Sequence, residues 1–369
     1  MNPSVQLLAN GIEIRRSISE VVAGARQSLS LMMYMFRSDE AGQSVLTELI
    51  AALHRGASVK LILDGFGSLY TPDRFFLPFL EAGGEIKKFN HRWRPQYLLR
   101  NHQKFIIADS QTALTGGFNI GDDYFGDGLK TGWREIGVRV DGRPVGDLQQ
   151  YFNRMWEALA GDRFRLKSWT RIKPRGRVPR TDVEWLVSSP SIGRSEYGRS
   201  LRKDLKRSAE LSLMMGYFVP TVSLRRMIGR IARRGRAELV LPAITDVPIS
   251  RLAAWFTFGR LLRDGCNIYE YQPRPLHAKL VVLDDVTYVG SANIDTRSLH
   301  LNFEMTLRVR DIALAEQARA LIKNDIRLSL PITRDIYERS SSLVQRLMRR
   351  IAYTLLSRFD YFVSKKLVD

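Results

Sequence analysis

Short, nearly uninterrupted apolar runs punctuate this chain, and they come in pairs. Leu29-Ser-Leu-Met-Met-Tyr-Met-Phe36 is matched by Leu211-Ser-Leu-Met-Met-Gly-Tyr-Phe218, and Val59-Lys-Leu-Ile-Leu-Asp64 by Ala237-Glu-Leu-Val-Leu-Pro242. Such runs predict strands buried on both faces. Between the members of each set lies a stretch of helical period that stops at glycine, Leu49-Ile-Ala-Ala-Leu-His-Arg-Gly56 in one half and Met227-Ile-Gly-Arg-Ile-Ala-Arg-Arg-Gly235 in the other. Glycine is the usual residue just past a helix end. A further helix is predicted over 74–82, ending at Gly83-Gly84, with a counterpart over 252–264 ending at Gly265. The same alternation of strand and helix, written twice, predicts an α/β fold of two pseudo-repeated lobes, each a mixed β-sheet flanked by helices. The expected division is an amino-terminal lobe over 1–168, a basic linker over 169–182, a carboxyl-terminal lobe over 183–335 and an amphipathic helix over 336–369.

The second part of each lobe reads as a hairpin carrying one chemistry. His102-Gln-Lys104 leads into Phe105-Ile-Ile-Ala108, Asp109 and a returning run that ends at Gly116-Gly-Phe-Asn119. His277-Ala-Lys279 leads into Leu280-Val-Val-Leu283, Asp284 and a return that ends at Gly290-Ser-Ala-Asn293. Residues two apart in a strand share a face, so each His and Lys point the same way, and small residues at the end of the return let backbone and Asn approach. Imidazole, cation, amide and tight turn outline a phosphate site. Two copies allow one site with two imidazoles where the lobes meet. The second copy is shorter, with five residues between Asp284 and Gly290 against six between Asp109 and Gly116. A slip inside the strand would send its side chains to the other face, so the missing residue is expected in the turn. Asp109 and Asp284 are expected to close the hairpins. The segment from His91-Arg-Trp-Arg94 to Arg100 runs into His102, which places Arg94 and Arg100 at the expected rim of the site, where guanidinium groups suit a phosphate head group.

Composition narrows the partners. Cys266 is the only cysteine, so no intrachain disulfide is possible, and no run of about 18 apolar residues predicts a transmembrane helix. No signal peptide is evident at the amino end. The net charge of +19 is uneven, +3 over 1–168 and +16 over 169–369, which calls for a polyanionic partner, either nucleic acid or an anionic lipid surface. The carboxyl end favours lipid. Leu343, Leu347, Ile351, Leu355, Phe359 and Val363 recur every four residues with Val344, Met348, Ala352 and Leu356 beside them, flanked by Arg346, Arg349, Arg350, Arg358, Lys365 and Lys366. A cationic amphipathic helix suits a bilayer interface; the competing reading is a terminal helix packed on its own lobe. Trp255-Phe-Thr-Phe258 with Leu261 and Leu262 likewise reads either as an acyl-chain groove or as a core helix.

The pattern His-x-Lys-x-x-x-x-Asp followed by Gly-(Gly/Ser)-x-Asn resembles the HKD motif of the phospholipase D superfamily, and its two copies resemble the single-chain, two-lobed members. The flanking segments 116–124, 133–142 and 290–304 are similar to those of bacterial cardiolipin synthases, in particular the shorter kind without an amino-terminal membrane anchor, and the likeness covers most of residues 5 to 330. The resemblance implies two phospholipase D-like lobes with the active site at their interface. It implies a phosphatidyltransferase that moves a phosphatidyl group from phosphatidylglycerol, or phosphatidylethanolamine, to phosphatidylglycerol through a phosphohistidine. A phospholipase D that hydrolyses the same intermediate is the alternative, and an HKD-type nuclease a less favoured one. By the same resemblance His102 is the nucleophile and His277 the general acid and base. Lys104, Lys279, Asn119 and Asn293 face the phosphoryl oxygens, and Glu135 and Glu304 orient the imidazoles. Gly117 and Ser291 adjoin the substrate, with any hydroxyl contact absent at Gly117. No metal or cofactor is implied. The expected partners are phospholipid substrates and the membrane surface rather than nucleic acid, and the expected location is peripheral on the bacterial cytoplasmic membrane.

Overall fold

The computed structural model describes residues 3–89, 99–126, 131–159, 182–190 and 195–359. In the first lobe β1 (Ser4–Leu8), β2 (Ser28–Met33), β3 (Ser58–Asp64), β4 (Glu85–Phe89), β5 (Phe105–Ala108), β6 (Thr112–Gly116) and β7 (Gly137–Asp141) form one sheet in the order β1-β7-β6-β5-β2-β3-β4. The second lobe contains β8 (Val183–Ser188), β9 (Glu210–Met215), β10 (Arg236–Pro242), β11 (Asn267–Tyr271), β12 (Lys279–Leu283), β13 (Val286–Gly290), β14 (Glu304–Arg310) and β15 (Ser329–Ile332). Its order, β15-β11-β10-β9-β12-β13-β14-β8, repeats that of the first sheet and adds β15 at the far edge. In both sheets three neighbours are parallel, β2-β3-β4 and β9-β10-β11, and the remaining pairs are antiparallel.

The strands lack polar alternation because each sheet is covered twice. Leu29, Leu31 and Met33 of β2 pack outward with Ile14, Ile18 and Leu49 from the helices Gly11–Gly24 and Glu40–His54, while Met32 points inward. In β9 Leu211, Leu213 and Met215 face the outer core and Met214 the inner one. The inner faces of both sheets share a single core with the helices Arg143–Ala158 and Ile312–Arg327, in which Phe105, Tyr151 and Phe152 join Met305, Leu307 and Ile322. The lobes are therefore fused through apolar burial, each fully buried Leu, Ile, Met or Phe contributing roughly 1.5–3 kcal/mol.

The hairpin turns locate the missing residue. Ala108 pairs with Thr112 across a three-residue loop, whereas Leu283 pairs with Val286 across Asp284 and Asp285 alone. Asp109, Ser110 and Asp284 take φ of 51°, 56° and 49°, a region that Asp tolerates better than most residues. Because the loss is in the turn, both return strands keep their facing.

Two expectations need correction. The helix predicted over 74–82 is a 3-10 turn, Asp73–Phe76, followed by a short α-helix, Leu77–Glu81; Pro78 has no N–H to continue the first turn. The terminal helix predicted over 336–369 is interrupted within its described part. A helix Arg334–Arg339 stops, and Ser342 caps a second one, Leu343–Thr354, by accepting from Gln345 N while the Gln345 side chain returns to Ser342 N. Of the two readings of the segment 255–262, the core helix is the one observed: Trp255, Phe258, Leu261 and Leu262 lie in the outer core of the second lobe. The linker expected over 169–182, apart from Asp182, lies outside the described residues, as do His91, Arg94, Val363, Lys365 and Lys366.

Candidate active site

Register brings the two motifs together. β5 begins opposite the end of β2, with Phe105 beside Met32, and β12 begins opposite the end of β9, with Lys279 beside Met215. Each motif is then tied to the other lobe. Asn101 bridges Phe303, His102 N donates to Phe303 O (2.9 Å), and Phe303 N donates to Arg100 O (2.9 Å). Arg134 bridges Leu276, and its carbonyl accepts from His277 N and Ala278 N, both at 3.0 Å.

The crossed backbone pairing makes the side-chain pairing crossed as well. His102 Nδ1 donates to Glu304 Oε2 at 3.0 Å, and His277 Nδ1 is bonded to Glu135 Oε1. Each carboxylate serves the histidine of the opposite lobe, although sequence order alone would group it with the motif just before it. Both Glu side chains are fully buried. Burial works against their charge, but His277 and Lys279 hold Glu135 below the usual carboxylate range, and His102, Lys104 and Ser291 do the same for Glu304. Burial and the neighbouring lysines hold both imidazoles toward the neutral form, His102 down to about 4 against the opposing pull of Glu304. A neutral imidazole with Nδ1–H fixed on a carboxylate presents the Nε2 lone pair to whatever enters.

Lys104 and Lys279 are almost completely buried; each Nζ donates to the carbonyl of its own motif histidine, and each lies over an aromatic ring, Tyr34 for Lys104 (4.9 Å) and Tyr217 for Lys279 (5.8 Å). Burial lowers their pKa to about 7 and about 8. Asn119 Oδ1 accepts from Met35 N and Asn293 Oδ1 from Tyr217 N, both at 3.2 Å. The amides thereby fix the chain just past β2 and β9 at the edge of the site.

The remaining expected residues are placed as follows. Ser291 Oγ donates to Glu304 Oε2 (2.5 Å) and accepts from Met305 N (3.0 Å), so it backs a carboxylate rather than the opening. At Gly117 a Cβ would lie 2.6 Å from Glu135 Oε2 and 3.1 Å from Lys279 Cδ; the glycine makes room for the carboxylate. A Gly117→Ala variant is expected to push Glu135 off His277 and lower kcat by ~10²-fold, the cost of a displacement of about 1 Å in a reacting group; wild-type turnover would show that the site absorbs the methyl. Asp109 accepts from Arg26 N, Gln27 N and Ser28 N, and Asp284 from Ala209 N and Glu210 N. Five residues along a strand put Asp109 roughly 17 Å from Lys104, outside the chemistry. Arg100 stacks on Phe66, 3.5 Å from guanidinium carbon to ring centroid. Arg94 lies outside the described residues.

Sequence reasoning missed several neighbours. Tyr34 meets His102 edge-on at 4.9 Å, while Tyr124, Trp133 and Tyr217 surround His277 at 5.6, 5.6 and 5.9 Å. Tyr34 and Tyr217 stand in the repeated strand segments, at positions one residue apart, which was the available signal. Asp64, at the end of β3, accepts from Asn101 N (2.8 Å), Phe66 N and Gly67 N, and burial raises its pKa to about 6. Its repeat counterpart is Pro242, so this support exists in one lobe only. Arg134 is buried, forks onto Asp325 through Nε and Nη2 (2.8 Å), and donates to Ala9 O and Glu135 O. It stands between Trp133 and Glu135, where charge alone gave no reason to expect burial.

The chain is similar to known proteins along both lobes. Residues 18–156 and 201–326 match the family model described as "Cardiolipin synthase, PLD-like domain". The chain is 30% identical to cardiolipin synthase 1 of Staphylococcus epidermidis over 347 residues, which cover 92% of this chain and 71% of that protein. It is 29% identical to cardiolipin synthase B of Salmonella typhimurium over 336 residues, 87% of this chain and 81% of that one. Among solved structures, a phosphatidylserine synthase of Haemophilus influenzae shares the fold with a TM-score of 0.74 at 16% identity, over 99% of this chain and 94% of that chain. With the family matched in both lobes and the two histidine motifs brought to one place, the chain belongs to the cardiolipin synthase family of phospholipase D-like enzymes.

Proposed function

We propose that this protein is a phosphatidyltransferase of cardiolipin synthase type that works from the surface of a membrane. The observation that carries the reading is the crossed pair of His–Glu contacts at the lobe interface, with two buried lysines beside them. His102 Nε2 attacks the phosphorus of phosphatidylglycerol and the P–O bond to glycerol breaks; His277, which enters this step as the imidazolium that Glu135 and the bound phosphate favour over its neutral resting form, gives its Nε2 proton to the departing alkoxide. The phosphatidyl group is then held on an imidazolium whose charge Glu304 balances. In the second step the hydroxyl of another phosphatidylglycerol gives its proton to His277 and attacks phosphorus. The P–N bond breaks, releasing cardiolipin and neutral His102. One group acts as acid first and base second, as reversibility requires. The side chain of His102 is 14% exposed and that of His277 7%, which supports His102 as the one that meets phosphorus. Lys104 and Lys279 swing from backbone carbonyls to the phosphoryl oxygens, where charge develops. A peripheral location is consistent with the absence, among the described residues, of any helix long and apolar enough to cross a membrane.

Labelled phosphatidylglycerol in mixed micelles tests this directly. Labelled cardiolipin and free glycerol, missing with His102→Ala, are the expected products by mass spectrometry. Phosphatidic acid alone would make the enzyme a hydrolase.

The lysines give the reaction a pH dependence. Turnover needs His102 neutral, so kcat/KM rises as pH climbs through about 4, and it needs His277 and Lys104 protonated, so kcat/KM falls at higher pH, first with His277, which burial and the lysines hold below the ordinary imidazole value, and further as pH passes about 7 with Lys104. In Lys104→Met that alkaline fall is expected to shift upward on a uniformly weaker profile. An unchanged profile would remove Lys104 from phosphate binding.

A further inference from the structure

We propose that the outward face of the helix Leu343–Thr354 is a docking surface for an anionic phospholipid bilayer. The helix is seated with its apolar stripe reversed. Leu343, Val344, Leu347, Met348, Ile351 and Leu355 point to solvent with exposures from 43% to 84%, while Arg349 and Ala352 are buried. A helix held only by packing on its own lobe turns its apolar stripe inward. Here the inward face is built around a cation instead. Arg349 lies over the rings of Trp255 (4.5 Å) and Tyr337 (5.5 Å) and donates to Ser341 Oγ (2.8 Å) and Ser340 O (2.6 Å). Tyr353 stacks on Phe256 at 4.6 Å, and its hydroxyl donates to Pro220 O at 3.0 Å. The orientation is thus fixed by specific contacts, and they present the apolar side outward.

The stripe leads to the active site. At its far end Thr296, three residues past Asn293, donates to Ser357 O at 3.4 Å. On the neighbouring helix Pro248–Arg263, Ile249 and Leu252 are exposed two turns and one turn before Phe256, on the same side. The adjoining Asp246 accepts from Tyr217 OH at 2.6 Å, and the Tyr217 ring packs on His277.

Charge selects the partner. Arg346 and Arg350 flank the stripe, and a cleft of about 660 Å³ lined by Arg199, Arg202, Lys203, Lys206 and Arg207 opens against the start of the helix Val222–Arg234, two residues beyond Pro220. Apolar side chains rimmed by cations complement acyl chains and head-group phosphates. A second copy of the chain would set the same cations against each other across a two-fold axis.

The test is co-sedimentation of the full chain with phosphatidylglycerol vesicles and, separately, phosphatidylcholine vesicles. The parent is expected to bind the anionic vesicles at least tenfold more tightly. Leu347→Glu/Ile351→Glu is expected to lose at least tenfold on both, and Arg346→Glu/Arg350→Glu to lose affinity for phosphatidylglycerol only, with a shallower salt dependence. An unchanged thermal midpoint certifies folding; if the Glu pair shifts it, Leu347→Ser/Ile351→Ser takes its place with the same expectation. Parent-like binding by the apolar variants, or failure of the parent to bind phosphatidylglycerol, overturns the proposal. So does a parent dimer in sedimentation velocity that these variants dissociate while vesicle binding persists, which would assign the face to a second copy. The consequence for catalysis rests on the phosphatidyltransferase reading, but the measurement does not: a chain that binds vesicles and makes no cardiolipin rejects that reading alone.

Discussion

Alanine in place of His102 is expected to lower turnover of phosphatidylglycerol by about 10⁴- to 10⁶-fold, because His102 carries the phosphatidyl intermediate and His277 is committed to proton transfer. The His277→Ala loss is expected to be of similar size with the natural substrate, whose glycerol alkoxide needs a proton to leave. The two variants separate on a phosphatidyl ester of p-nitrophenol, a leaving group that departs unprotonated. With it, His277→Ala should release one equivalent of p-nitrophenol in a burst and retain the phosphatidyl group on the protein, whereas His102→Ala should do neither. A burst from His102→Ala and none from His277→Ala would exchange the two roles. The separation is possible because the carboxylate partners come from opposite lobes, so removing one imidazole leaves the other His–Glu pair in place.

The largest expected loss of stability comes from a residue outside the chemistry. Arg134 and Asp325 are both buried and joined by a forked ion pair, and breaking a buried pair from one side costs about 3–5 kcal/mol, since the other charge is left without water or partner. Either Arg134→Met or Asp325→Leu alone is therefore expected to lower the unfolding midpoint strongly. Burial already pushes the Asp325 carboxyl upward against the pull of Arg134, so the orphaned Asp325 should take up a proton on folding. The double variant is expected to recover much of the loss, because two apolar side chains replace two desolvated charges. Thermal unfolding of the two single variants and the double variant reads this. Additive losses would mean that Arg134 acts through Ala9 O and Glu135 O rather than through Asp325. Activity should fall with stability in the Arg134 variant, since the same residue's carbonyl holds His277 N and Ala278 N.

Much of this protein is local and hence readable. Buried strands, glycine-stopped helices and the paired hairpins are set by side-chain period and turn chemistry over a few residues, which is why the repeat, the two-lobed α/β fold and the place of the missing residue at Asp284-Asp285 follow from sequence. Pro78 and Ser342 were also visible, and they break helices that hydrophobic period alone would have continued. Other decisions belong to the packed lobes. Glu304 meets His102 across 202 residues and Glu135 meets His277 across 142, a pairing created when the shared inner core brings the sheets together and invisible to any local pattern. The burial of Arg134, the ring of aromatics around His277 and the role of Asp64 arise in the same way.

The carboxyl-terminal helix draws the division most sharply. Its amphipathic stripe was determined by the sequence, but which side turns inward was not, because period says only that two faces differ. Trp255, Tyr337, Ser340 and Ser341 together desolvate and satisfy one guanidinium, and only the tertiary structure assembles them; Arg349 goes in, and the apolar face is left for water or lipid.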